Sequence, residues 1–204
     1  MKNKFLVCGA IVLALAGCGE GEDRQAKYLE RAEKYFAEEN YDKAKVDARN
    51  VLQINPKNLP AQIILADISF KEGDIRKAYG TYQNVLSEDE NNIDAHIGLT
   101  SLLTAVKAYD QAIEHADDVL AVQPDNTEVM GFKAFALAGS GETDAATALA
   151  EKTLSMEPGN TAAAGVISQL YIDKGDYESA LTVLRKAASA NQDDPRLSLS
   201  LIHI

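Results

Sequence analysis

Two cysteines and three histidines, Cys8, Cys18, His96, His115 and His203, carry the strongest ligand and nucleophile chemistry in this 204-residue chain. Thiolates and neutral imidazoles hold zinc when three or four such groups, or a carboxylate among them, converge on one point. His96 and His115 have no cysteine or carboxylate partner at ligand spacing, so each reads as a half-buried or surface histidine. Glu88-Asp-Glu90, followed by Asn91 and Asn92, has the oxygen ligands of a calcium loop but neither its alternation nor its closing Glu, and reads as a solvated turn. No Gly-rich phosphate cradle, Gly-x-Ser-x-Gly elbow or His-Glu-x-x-His helix occurs. The expectation is a chain with no metal, no cofactor, no small-molecule substrate and no catalysis of its own.

The informative spacing is structural. Ala44, Ala78, Ala112, Ala146 and Ala180 recur 34 residues apart. A small residue held in register for five periods marks one helical hairpin repeated, with two helices crossing closely at that point. With the alanine as position 20, the repeats span 25–58, 59–92, 93–126, 127–160 and 161–194 without insertion. Position 8 is also small: Ala32, Ala66, Thr100, Ala134, Ser168. Position 17 carries Tyr41, Ile75, Tyr109, Thr143 and Tyr177, a plug where the second helix starts against the first. Pro56, Pro124 and Pro158 end helices at position 32, and Asn55, Asn58, Asn91, Asn126 and Asn160 supply turn and capping chemistry around them. Gly73-Asp74, Gly141-Glu142 and Gly175-Asp176 mark turns inside the hairpins, with Glu39-Asn40 in the first.

Small residues at positions 8 and 20, frequent aromatics at 17, Gly before a polar residue at 15 and Pro at 32 resemble the tetratricopeptide repeat family over residues 25–194. The resemblance implies an all-α, right-handed superhelical solenoid. The family's aromatic at position 4 is kept only as Tyr28, being Gln62, His96, Met130 and Ala164 elsewhere. The fourth repeat is glycine-rich (Gly131, Gly139, Gly141), so it is expected to be the weakest and to uncouple the first three repeats from the last.

The resemblance also implies a peptide-binding concave face lined by positions 5, 9 and 12 of each first helix. These are Leu29, Glu33, Phe36; Ile63, Asp67, Phe70; Ile97, Ser101, Thr104; and Gly131, Phe135, Ala138. Leu29, Ile63 and Ile97 stand where some relatives clamp a peptide carboxylate with Lys and Asn, which argues against that mode. An apolar strip edged by Glu33 and Asp67 suits a peptide with apolar side chains and some positive charge. The alternative is that Phe36, Phe70 and the aliphatics only seal neighbouring helices together.

Ahead of the repeats, Met-Lys-Asn-Lys4, an apolar run from Phe5 to Ala16 and small residues at its end read as an export signal over residues 1–17. The run is well short of the roughly 20 residues that span a bilayer. Leu15-Ala16-Gly17-Cys18 resembles the lipobox of bacterial lipoproteins, which implies a lipidated Cys18, a short tether over residues 18–24 and, with Gly at 19, outer-membrane sorting facing the periplasm. The alternative is cleavage after Ala14-Leu15-Ala16 that leaves Cys18 free. No disulfide framework is possible once Cys8 departs with the signal. At the other end, residues 195–204 read as an incomplete sixth repeat. Leu199–Ile204 is also what CTG TCT CTT ATA CAC ATC encodes, a string resembling a transposon-library adapter.

The net charge of −11, or −13 without Lys2 and Lys4, does not attract nucleic acid or anionic lipid as partners and keeps an array soluble. The expected function is an envelope scaffold that binds protein or peptide partners. Its Tyr41-Asp-Lys-Ala44 and Asn50-to-Pro56 phrases resemble repeat lipoproteins of exopolysaccharide and exosortase loci. A pilotin-like pilus-assembly lipoprotein and the non-catalytic arm of a larger enzyme are the alternatives.

Overall fold

In the computed structural model residues 16–190 are described, and all of their regular structure is helical. The export-signal run up to residue 15 and the tail from residue 191 lie outside the described residues. The helices are α1 (Ala16–Ala37), α2 (Tyr41–Ile54), α3 (Leu59–Lys71), α4 (Ile75–Glu88), α5 (Ile93–Ala105), α6 (Tyr109–Val122), α7 (Thr127–Ser140), α8 (Thr143–Met156), α9 (Thr161–Asp173) and α10 (Tyr177–Ala190). Residues 18–24, expected as an irregular tether, lie inside α1. Glu20, Glu22 and Arg24 to Lys27 are adequate helix formers without proline, and extending an existing helix adds one hydrogen bond per residue fixed, which offsets the two glycines.

Each hairpin turn is closed by the same backbone geometry. Residue 15 of the repeat is left-handed in all five: Glu39 (φ 57°), Gly73 (82°), Lys107 (64°), Gly141 (95°) and Gly175 (77°). The amide that follows donates back to the first helix, as in Asn40 N–H to Tyr35 O at 2.8 Å and Ala108 N–H to Leu103 O at 2.9 Å. This bond satisfies carbonyls that the helix end would leave orphaned. First helices are capped on the other side by Asn58, Asn92, Asn126 and Asn160, whose side chains accept from Ala61, Ala95, Val129 and Ala163 amides. The caps satisfy helix donors that would otherwise need water.

The crossing alanines Ala44, Ala78, Ala112, Ala146 and Ala180 are all fully buried, as are Ala32, Ala66, Thr100 and Ala134 at position 8. The chain forms two compact units, divided at Val85 and Leu86. In the first, α1 packs on both α2 and α3, and α2 on α3. Ala32, Ala44, Ala48, Val51, Ala61, Ile64 and Ile68 form its core. In the second, each first helix stacks beside the next, α5 on α7 and α7 on α9, while α6 and α8 fill the gaps by contacting α7 and α9 respectively. Ala134, Leu137, Ala146, Ala150, Ala163, Val166 and Ile167 form a core cluster in it.

Two glycines of the fourth repeat, expected from helix propensity to weaken it, also have a packing role. A Cβ on Gly131 would lie 2.4 Å from Asn160 Oδ1, and one on Gly139 2.3 Å from the Tyr109 ring. Asn160 cannot easily yield. It accepts from the Ala163 amide at 3.0 Å and donates to Thr127 O at 2.9 Å and Glu157 Oε2 at 3.1 Å. Gly131 and Gly139 are therefore sites of close approach inside the second unit.

Three substitutions separate the effects of space and backbone. Gly131→Ala should destabilise by about 1–3 kcal/mol despite alanine's better helix propensity, whereas Gly80→Ala, whose Cβ meets nothing within 4 Å in mid-α4, should stabilise by about 0.5–1 kcal/mol. Lys107→Gly should stabilise by about 0.5–1 kcal/mol by relieving a left-handed side-chain-bearing residue. Urea melts of the three variants check all signs.

Candidate functional site

The residues expected to line a binding face separate into two groups. Leu29 and Phe36 are half-buried and pack against the first unit's core, Phe36 meeting the Tyr41 ring at 5.7 Å between centroids. Ile63 is buried in α3 and Phe70 half-buried at its end. In the second unit Ile97 packs on the cluster of Ala116, Val119 and Val129. Thr104 is buried, and its hydroxyl has no hydrogen-bond partner among the described residues. Glu33 and Phe135 are exposed, Phe135 at 43%, and Ser101 is half-exposed. Most of the apolar positions thus seal helices together, and accessibility is concentrated at position 9.

Asp67, expected to edge a groove, accepts a hydrogen bond from the fully buried Tyr82 hydroxyl. It joins α3 to α4 within the second repeat. Burial first, and the Asp67 charge second, pushes ionisation of Tyr82 far above the ordinary tyrosine range. A second internal tie pairs Arg31 of α1 with the nearly buried Asp47 of α2, through Nε at 2.9 Å and Nη2 at 2.5 Å. This two-point geometry fixes orientation as well as charge. Lys45 reaches Glu72 at 2.5 Å, and Lys133 of α7 pairs with Asp117 of α6.

One cluster departs from the linear reading. His96 of α5 and His115 of α6, expected to stand alone, face each other with Nδ1 atoms 2.9 Å apart, and Asp118 Oδ2 lies 3.4 Å from His96 Nδ1. His96 is buried; His115 is half-buried and Asp118 exposed. The carboxylate partner comes three residues after His115, one helical turn along the same face. Burial first, and the His96 ring second, lowers the His115 pKa, against the opposing pull of Asp118 and Glu114. The signal in the sequence was the hairpin register: position 4 of a first helix and position 23 of the second, 19 residues apart, come together when the two helices cross.

Crossing hairpins, capped ends and stacked first helices define a helical-repeat interaction scaffold. The tetratricopeptide repeat model matches residues 35–81, 69–135 and 137–201, and the chain belongs to that family. Proteins of this family are generally non-catalytic and bind other proteins. No curated protein matches the chain. Among solved structures it is similar to TTC0263, a thermophilic repeat protein of Thermus thermophilus, at 20% identity over 88% of this chain and 97% of that one, with a TM-score of 0.73. It is also similar to pilF of Pseudomonas aeruginosa (19% identity, 87% and 81%, TM-score 0.71) and to MamA of Desulfovibrio magneticus RS-1 (14%, 84% and 97%, TM-score 0.67). At these identities the likeness is one of fold.

The Tyr82–Asp67 tie makes an alkaline prediction. The folded state keeps the Tyr82 proton where the unfolded chain begins to lose it, so the contribution is full below about pH 10 and falls as pH rises beyond it. Tyr82→Phe should cost about 1.5–3 kcal/mol at neutral pH and flatten the fall in melting temperature above about pH 10. An unchanged alkaline slope in the variant would show that other groups set it.

Proposed function

We propose that this chain is a lipid-anchored scaffold of the bacterial outer membrane, facing the periplasm, whose repeats hold envelope proteins through segments laid against the first helices. The carrying observation is that Leu15-Ala16-Gly17-Cys18 stands directly ahead of a tetratricopeptide array, which the family model matches from residue 35. A lipid on Cys18 would tether the array at the membrane face. Among the described residues no helix is long and apolar enough to cross a membrane. A single acyl chain binds a bilayer only reversibly, and stable anchoring takes more than one. Multiple acylation at Cys18 is therefore part of the proposal.

The partner segment carries apolar side chains and modest positive charge. In the second unit Phe135 offers such a segment an accessible ring; in the first, taken by itself, Glu33 disfavours an acidic one. Exopolysaccharide or protein export is the envelope task this reading favours, on the phrases Tyr41-Asp-Lys-Ala44 and Asn50-to-Pro56.

Expression in a Gram-negative host should give labelled-palmitate incorporation and outer-membrane fractionation, both lost in Cys18→Ser. Capture from envelope extract should recover a partner that Phe135→Ser and Glu33→Lys lose at unchanged helical content. Wild-type-level recovery by both variants would move the binding surface away from position 9.

A further inference from the structure

We propose that the third repeat binds a divalent transition-metal ion of the zinc type through His96 Nδ1, His115 Nδ1 and the Asp118 carboxylate, clipping α5 to α6. One ligand atom from each of the three residues lies within 4.8 Å of the others. Two imidazoles and a carboxylate are a donor set suited to zinc, and three protein ligands with a remaining open position form a recurrent zinc arrangement.

The strongest support is the tautomer. His96 Nε2 lies 3.0 Å from the carbonyl oxygen of Glu90. A carbonyl only accepts, so Nε2 carries the hydrogen and, in the neutral ring, Nδ1 presents its lone pair to His115 and Asp118. This is the outer-shell hydrogen bond that orients metal-ligating histidines. The buried His96 ring is thus preset on the side of α5, while the half-buried His115 and the exposed Asp118 approach it from one face of α6.

Two of the three donor spacings are close to those of a zinc site, and all three donors lie within 4.8 Å of one another. Nitrogens in a tetrahedral site with Zn–N about 2.0–2.1 Å sit roughly 3.3 Å apart. The Nδ1 pair at 2.9 Å must open by a few tenths of an ångström, and His96 Nδ1 to Asp118 Oδ2 is already 3.4 Å. Without an ion, His115 Nδ1–H donates to His96 Nδ1. Binding transfers that hydrogen to His115 Nε2, a change of tautomer with no net proton loss. The exposure of Asp118 leaves the remaining coordination position open to water.

The test uses the full chain titrated with Zn²⁺ by calorimetry and with Co²⁺ by visible spectroscopy. One site per chain is expected, with ligand-field bands of nitrogen and oxygen donors and no thiolate charge-transfer band from Cys8 or Cys18. His115→Gln and Asp118→Asn, both away from the fully buried core, should each weaken zinc by at least the roughly 10- to 100-fold that loss of an outer-shell partner costs. They should also abolish the zinc-dependent rise in melting temperature that binding to the folded state imposes, while far-ultraviolet circular dichroism stays unchanged. No binding to the wild-type chain, wild-type affinity in both variants, or a cobalt spectrum dominated by thiolate would each overturn the assignment.

Discussion

The close crossing of two helices inside each repeat is the constraint on which the rest depends. Ala44, Ala78, Ala112, Ala146 and Ala180 are fully buried because the first helix lies directly against them. With these methyl groups fully enclosed, enlargement forces side chains off their rotamers or the helices apart. Once the crossing is set, the chain must reverse in a few residues. The left-handed residue at position 15 and the amide that bonds back across the turn accomplish this identically in five places. A single hairpin cannot cover its own apolar faces, so the next repeat has to stack on it.

That stacking uses much of the apolar surface of the first helices. Leu29, Phe36 and Ile97 pack on neighbouring helices and are half-buried. Polar side chains near the same surface are also used internally: Asp47 by Arg31 and Asp67 by Tyr82. These ties lie between the two helices of one hairpin and fix their rotation about each other. Binding capacity is left to the side chains that packing does not consume, with Phe135 the largest apolar group among the expected positions.

The fourth repeat places two opposed demands on the same glycines. Its glycines suggest softness when judged by helix propensity, since each is worth about 1 kcal/mol against alanine in a helix interior. In the folded chain Gly131 and Gly139 are contact points for Asn160 and Tyr109. Propensity is a property of an isolated helix, and close packing reverses the preference for alanine wherever a Cβ would collide. The third repeat departs in another way, placing His96 at a position the family often gives to an aromatic packing residue and bringing His115 and Asp118 of α6 up to it.

Periodicity, hairpin composition, the crossing residues and the capping asparagines Asn58, Asn126 and Asn160 were legible in the amino-acid sequence, because each is a local requirement repeated every 34 residues, whereas the cap of α5 is Asn92 and not the Asn91 expected to serve there. Helix starts at Leu59, Ile93, Thr127 and Thr161 coincide with the first positions of that register. Which polar groups meet was not legible. His96 with His115, Arg31 with Asp47 and Tyr82 with Asp67 are separated by 19, 16 and 15 residues, and their contact depends on the rotation of one helix about its axis relative to the other. Linear spacing specifies the face of a helix. Only the packed hairpin decides what that face touches, because a turn of a few tens of degrees exchanges one neighbour for another.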